Sequence, residues 1–241
     1  MYDYVNTLLF GIYPYVALAV LALGSIIRYD REPYTWRSGS SQLLRRRQLI
    51  WGSVMFHVGV LIVFFGHLVG LLTPIAVFDF IGIGHGAKQI MAIVIGGVSG
   101  LLALAGATLL LHRRLADARI RATSTFADIG ILVLLYVQLV LGLATIPLSL
   151  GHLDGSEMVK FMAWAQGIFI FDTGAAYYIA DTHPVFKLHL FLGLTIFLLF
   201  PFTRLVHMLS APVRYLWRPG YQVVRSRQKA RRPSLGAPAA E

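Results

Sequence analysis

The chain has 241 residues, of which 57% are hydrophobic and only 13% charged, with no cysteine and a formal net charge of +10; its mean hydropathy is +0.69. So little charge cannot cover the surface of a soluble domain of this length, which points to an integral membrane protein. Without cysteine the chain can hold no disulfide, thiolate zinc site or cysteine-ligated iron–sulfur cluster of its own. Its basic residues gather at the ends of apolar runs, a distribution that speaks for membrane topology and against a nucleic-acid partner.

The first apolar run extends from about Val5 to Ile27, and the preceding MYDYVN carries an acid and no basic cluster, so it reads as a true span and not as a cleaved signal peptide. Four more runs follow, from Leu49 to Leu72, Gln89 to Leu111, Phe126 to Leu150 and Pro184 to Leu209. Stretches of about 20 residues cross a hydrocarbon core of about 30 Å as helices, and in lipid only the helix satisfies its own backbone groups. The expected fold is an all-α integral membrane bundle of five transmembrane helices.

The arginines orient the bundle. Arg28, Arg31, Arg37 and Arg45 to Arg47 follow the first run; Arg113, Arg114, Arg119 and Arg121 follow the third; Arg204 and the basic residues of the tail follow the fifth. Every Lys and Arg except Lys88, Lys160 and Lys187 belongs to these groups, all on one side of a five-span chain. By the positive-inside rule that side is cytoplasmic, which puts the N-terminus outside and the C-terminus inside. On the outer side, the loop from Gly151 to His183 contains MVKFMAWAQGIFIF, expected to form an amphipathic helix lying along the membrane interface. The composition changes sharply near the end, so residues 1–218 are taken as the membrane domain and residues 219–241 as a basic, flexible cytoplasmic tail.

Four of the eight histidines lie inside spans: His57 and His67 in the second, His189 and His207 in the fifth. A single intramembrane histidine often only bridges two helices by hydrogen bonding. Two and two need a more specific account. The second and fifth spans run antiparallel, so His57 and His207 both lie toward the cytoplasmic end, and His67 and His189 toward the outer end. Two bis-histidine b-type haems require two matched pairs at two depths. Ten residues rise about 15 Å and eighteen about 27 Å along straight helices. Tilt, and a kink at Pro201, are expected to absorb the mismatch. Gly59, Gly66, Gly70 and Gly193 near these histidines, and the IGGVSG of the third span, either make room for a flat macrocycle or serve close helix packing. Arg204 and Lys187 are candidates for pairing with haem propionates or for snorkelling to the interface. The loop and span-end histidines, His85, His112, His152 and His183, read as solvated or interfacial.

Over nearly its whole length to about Arg218, the chain resembles the gamma subunit of respiratory nitrate reductase, a membrane cytochrome b. The resemblance is carried by IYPYVALAVLALGSIIRYD, YTWRSGSSQ, FHVGVLIVFFGH with the following GLLTP, RATSTFADI, LATIPLS with HLDGSEMVK and WAQ, and FLLFPFTRLVH. It implies two haems b, the inner held by His57 and His207 and the outer by His67 and His189, as the pairing by orientation also gives. It implies quinol oxidation near the outer haem at a site that includes Lys88, with Gly66 beside the ligand His67. On its own residues Lys88 is an ordinary interfacial lysine at the start of the third span. The implied partners are an iron–sulfur subunit and a molybdenum-containing catalytic subunit on the cytoplasmic face of a bacterial inner membrane, where nitrate is reduced. Two other readings stay open: the dihaem anchor of a different quinone-linked reductase or dehydrogenase, and a transporter or proton channel whose histidines form a relay.

Overall fold

The structure, a computed structural model, describes residues 2–36, 41, 43–210 and 217; the tail assigned to residues 219–241 lies outside them. Among the described residues all regular structure is helical, and five helices are long and apolar enough to cross a membrane. These spans are Tyr4–Arg31, Arg46–Leu72, His85–Ala116, Phe126–Leu150 and Pro184–Phe202. The third is longer than its apolar run because polar turns at both ends continue the helix. Local chemistry sets several ends. Thr125 and Asp128 form a capping box that starts the fourth span, with both reciprocal hydrogen bonds at 3.1 Å. After the third span, Asp117 accepts from the backbone N–H groups of Arg119 and Ile120 and starts the short helix Ala118–Ala122.

The second span packs on the third, the third on the fourth, the fourth on the fifth and the fifth on the first. The second and third meet along a seam of small residues. A Cβ on Gly59 would lie 2.5 Å from the backbone of Ser99 and Ala103, and one on Gly106 would run into the backbone nitrogen of Phe56 and lie 2.8 Å from the Gly52 carbonyl. At these two positions glycine serves close helix approach, not cofactor space. The second and fifth spans, by contrast, are not closely packed neighbours.

The arginines of the span ends meet at one end of the bundle. Arg113 donates to the carbonyls of Ser41 and Leu44 at 2.7 and 2.6 Å, Arg45 pairs with Asp117 at 3.1 Å, and Asp128 holds both Arg204 at 2.8 Å and Arg114 at 3.9 Å. Burial pushes the Asp117 carboxyl up, but the N–H groups of Ile120 and Arg119 and the nearby Arg45 outweigh it and hold it below the usual carboxylate range.

At the opposite end, the expected amphipathic helix forms at Ser156–Phe169 and is folded into the protein, with Met162, Trp164, Ala165 and Ile168 buried. Trp164 Nε1 donates to the Phe10 carbonyl at 2.9 Å, and Gln166 donates to the carbonyls of Leu71 and Thr73 at 3.0 and 3.2 Å. The helix thus clamps the end of the second span to the start of the first. Its Lys160 is held by Asp181 at 2.7 Å and Glu157 at 2.9 Å, hydrogen bonds that raise the lysine pKa.

The fifth span departs most from expectation. Its α-helix stops at Leu199, gives way to a tight turn at Phe200–Phe202, passes through extended Thr203 and resumes as a 3₁₀ stretch from Arg204 to Ser210. A kink at Pro201 was expected; the helix breaks instead, because proline has no N–H to continue the ladder. Arg28 of the first span satisfies freed carbonyls at the break, donating to Pro201 at 2.7 Å and Thr203 at 2.8 Å. Gly24, a turn earlier, lets the Pro201 ring lie against the first span, since a Cβ there would fall 2.8 Å from Pro201 Cγ.

Candidate functional site

The break carries His207 off the α-helix and toward the second span. The two histidines of that span are fixed by their own helix. His57 Nδ1 bonds the Ser53 carbonyl at 2.7 Å, with the Ser53 hydroxyl at 3.2 Å, and His67 Nδ1 bonds the Val63 carbonyl at 2.8 Å. His207 Nδ1 does the same with the Arg204 carbonyl. A ring whose Nδ1–H donates to a carbonyl keeps the Nε2 lone pair free, the tautomer in which histidine binds a metal.

The four rings come together in the two pairs expected from the antiparallel arrangement. His57 faces His207 with ring centres 6.2 Å apart, and His67 faces His189 with ring centres 6.1 Å apart. Two imidazoles clamping one ion, with bonds of about 2 Å and a ring centre about 1.1 Å behind each nitrogen, place their centres about 6.2 Å apart. Two rings sharing a direct N–H···N bond of about 2.9 Å would sit about 5.1 Å apart. The observed spacing therefore fits an interposed ion and is too wide for direct proton transfer from ring to ring.

The donor set narrows the choice of ion. Among the described residues no three His, Asp or Glu side chains gather as a metal cage. Two imidazoles suit an ion whose remaining ligands are not protein, as in haem. The second and fifth spans stand apart in their backbones while their imidazoles meet, and a Cβ on Gly66 or Gly70 would touch nothing within 4 Å. These two glycines border open space beside His67, unlike Gly59. His189 lies against Gly142 of the fourth span, where a Cβ would be 3.0 Å from its ring. The residues present fit two bis-imidazole haems.

Other candidates take different places. Lys88 is 8% exposed, and its ammonium donates to the Gly70 carbonyl at 2.9 Å and Met162 Sδ at 2.7 Å, lying 3.8 Å from the centre of the Phe78 ring. All three partners are neutral, and Gly70 is one turn beyond His67. A cavity of about 10 Å³, room for about one water, lies beside it, lined among others by His85, Met158 and Met162. Lys187 donates to the Ala180 carbonyl at 2.6 Å and to Asn6 Oδ1 at 3.3 Å, and Arg204 is held by Asp128, so both propionate candidates have partners within the protein. His112 contacts Gln48 at 3.0 Å, His85 contacts Asp79 at 3.7 Å, His152 lies 3.2 Å from the Leu148 carbonyl, and His183 caps the fifth span by accepting from Val185 N–H. Arg28, Asp128 and Gln138 support the site without having been singled out in the sequence. Arg28 and Asp128 were visible there only as a topological charge and a span-end acid; Gln138 had the clearest signal, a lone amide inside an apolar run.

The chain is thus an α-helical membrane protein of five spans that carries two facing pairs of imidazoles between its second and fifth spans. The sequence profile of the nitrate reductase gamma subunit family matches residues 6–227. The chain is 50% identical to the respiratory nitrate reductase 2 gamma chain of Escherichia coli (strain K12) over 228 residues, 95% of this chain and 100% of the relative. It is 50% identical to the respiratory nitrate reductase 1 gamma chain of the same organism over 225 residues, 93% and 99% of the two. With the nitrate reductase gamma chain of Bacillus subtilis (strain 168) the identity is 38% over 221 residues, 91% and 98%. The chain belongs to the nitrate reductase gamma subunit family. It is a multi-pass protein of the bacterial inner membrane and a membrane subunit of an oxidoreductase complex, in a family of cytochrome b subunits whose partners include a catalytic subunit.

Proposed function

We propose that the chain oxidises membrane quinol near the end of the bundle that carries Lys88 and delivers the electrons, through two b haems, to a cytoplasmic iron–sulfur subunit and onward to a molybdenum-containing subunit that reduces nitrate. The observation that carries this reading is the pair of imidazole spacings, 6.2 and 6.1 Å, at two levels of one bundle. His57 and His207 hold the inner haem, and His67 and His189 the outer. Bound there, haem b supplies a one-electron carrier whose potential is tuned by its axial ligands and surroundings.

The chain's own residues do the rest. The backbone carbonyls of Ser53, Val63 and Arg204 lock three ligand rings in the metal-binding tautomer. The arginine-rich end faces the cytoplasm by the charge rule and presents a basic surface to the partner subunits. Lys88, held by the Gly70 carbonyl and Met162 Sδ one turn beyond His67, takes part in this reading by turning from Met162 to donate to a quinol oxygen. Protons released on that side stay outside while the electrons cross inward, and each charge moved across 100 mV is worth about 2.3 kcal/mol. The relay reading is disfavoured by the ring spacing, and the anchor of a different enzyme by the near-complete match to nitrate reductase gamma chains.

The deciding experiment is a haem determination with a redox titration on the full-length chain in membranes. Two haems b per chain are expected; a colourless, assembled protein would overturn the proposal. At the quinol site, Lys88→Ala is expected to retain both haems and to lower quinol-dependent turnover by roughly 10-fold or more, the scale of one charge-assisted hydrogen bond. Unchanged turnover would remove Lys88 from the mechanism.

A further inference from the structure

His189 differs from the other three paired histidines. No carbonyl of its own helix holds its Nδ1, which is buried without a hydrogen-bond partner. A side chain from the neighbouring fourth span stands in. Gln138 Nε2 donates to the His189 carbonyl at 3.1 Å and lies 3.5 Å from His189 Nε2, while Gln138 Oε1 is itself buried without a partner. Gly193 makes room for this amide, since a Cβ there would come within 3.2 Å of Gln138 Nε2. A glutamine in an apolar membrane helix is costly unless something uses both ends of its amide. Here one end touches the backbone and ring of a paired histidine, and the other is left over.

We propose that Gln138 is the positioning residue of the His67–His189 pair: from an adjacent helix it holds His189 at its carbonyl and bears on its ring, which no carbonyl of its own helix holds. A ligating imidazole needs one nitrogen held by the protein and one free, and His189 has one nitrogen against the Gln138 amide and the other without a protein partner. The amide nitrogen is committed as a donor to the His189 carbonyl, so the amide holds the residue by its backbone and bears on the ring with the same nitrogen. Gln138 therefore sets the orientation in which the His189 ring faces His67. The inference rests on the haem reading of the histidines.

Its test compares Gln138→Met, close in shape but without a hydrogen-bonding amide, with Gln138→Asn, which keeps an amide donor. Each is expressed as the full-length chain in membranes and titrated electrochemically with electron paramagnetic resonance of the low-spin haems. The outer signal is identified as the one that His67→Ala removes. In Gln138→Met the largest g value of the outer haem is expected to move, with the inner haem unchanged; in Gln138→Asn it stays closer to that of the unmodified chain. If the methionine variant fails to load the outer haem, the asparagine variant is expected to load it. An unmoved outer signal in Gln138→Met, equal shifts at both haems, or an outer haem that neither variant retains would overturn the proposal. An unmodified chain without haem would instead refute the reading of the histidines.

Discussion

His207→Ala is expected to remove one haem and leave one, and to lower quinol-dependent nitrate reduction by more than about 100-fold, beyond the usual 10–100-fold cost of losing a mere supporting partner of a metal ligand. The remaining haem should be the one held by His67 and His189. The same spectrum is expected from His57→Ala, because the two rings face each other at 6.2 Å and either truncation leaves a single imidazole. His67→Ala and His189→Ala should instead remove the other haem, giving two classes of variant with matching spectra inside each class. His112→Ala, whose ring contacts Gln48 at a span end, should retain both haems and serves as the control. Difference spectra of membranes decide the matter. Retention of both haems in His207→Ala, or matching losses across the pairs in place of within them, would overturn the assignment.

The arrangement around His207 explains why its position is dependable although no regular α-helix supports it. The 3₁₀ stretch that carries it follows a broken helix whose free carbonyls are held by Arg28, and its first residue, Arg204, is tied to Asp128 on the fourth span. Arg204 and Asp128 have side chains only 21% and 17% exposed, where an ion pair is screened little and fixes geometry more firmly than one at the surface. Arginines that the charge rule reads as topological signals thus also position His207. Among the described residues the His67–His189 pair has no such ionic support; the Val63 carbonyl holds the His67 ring and Gln138 the His189 carbonyl instead.

How much of this was legible follows from the physics of each signal. Span number and approximate limits are set by run length and hydropathy, which lipid enforces directly, so all five runs became helices. The pairing of His57 with His207 and His67 with His189 followed from counting chain reversals, which needs no side-chain detail. The break after Leu199 was only half visible. Pro201 announces a disturbance, but whether a helix bends or ends depends on what receives its freed carbonyls, and Arg28 lies 173 residues away in sequence. The Ser156–Phe169 helix was recognised, but its burial was not, since periodicity gives an apolar face without saying whether lipid or protein covers it. Glycine was ambiguous for the same reason: Gly59 and Gly66 look alike in sequence, yet one meets a backbone and the other meets nothing. Gln138 was a visible anomaly whose meaning depended on which helix stood opposite.

The second large effect is expected at Gly106, far from any imidazole in sequence. A methyl group there would run into the backbone nitrogen of Phe56 and press to 2.8 Å on the Gly52 carbonyl, and helix backbone cannot turn aside as a side chain can. Overfilling a packed site costs about 1–3 kcal/mol when side chains can yield, and more is expected where only backbone is met. Gly106→Ala should therefore push the second and third spans apart. His57 is one residue from the displaced Phe56, so the spacing of the His57–His207 pair must change with the seam, whereas the His67–His189 pair lies nearly three helical turns further along. The expected result is a chain that loses haem at a lower temperature than the unmodified protein, the His57–His207 haem first, as followed by absorbance during heating of solubilised membranes. Gly96→Ala, on the same helix with nothing within 4 Å of the added carbon, should lose neither haem early. Equal thermal behaviour of the two variants would mean that the glycine seam does not set the distance between the ligand-bearing helices.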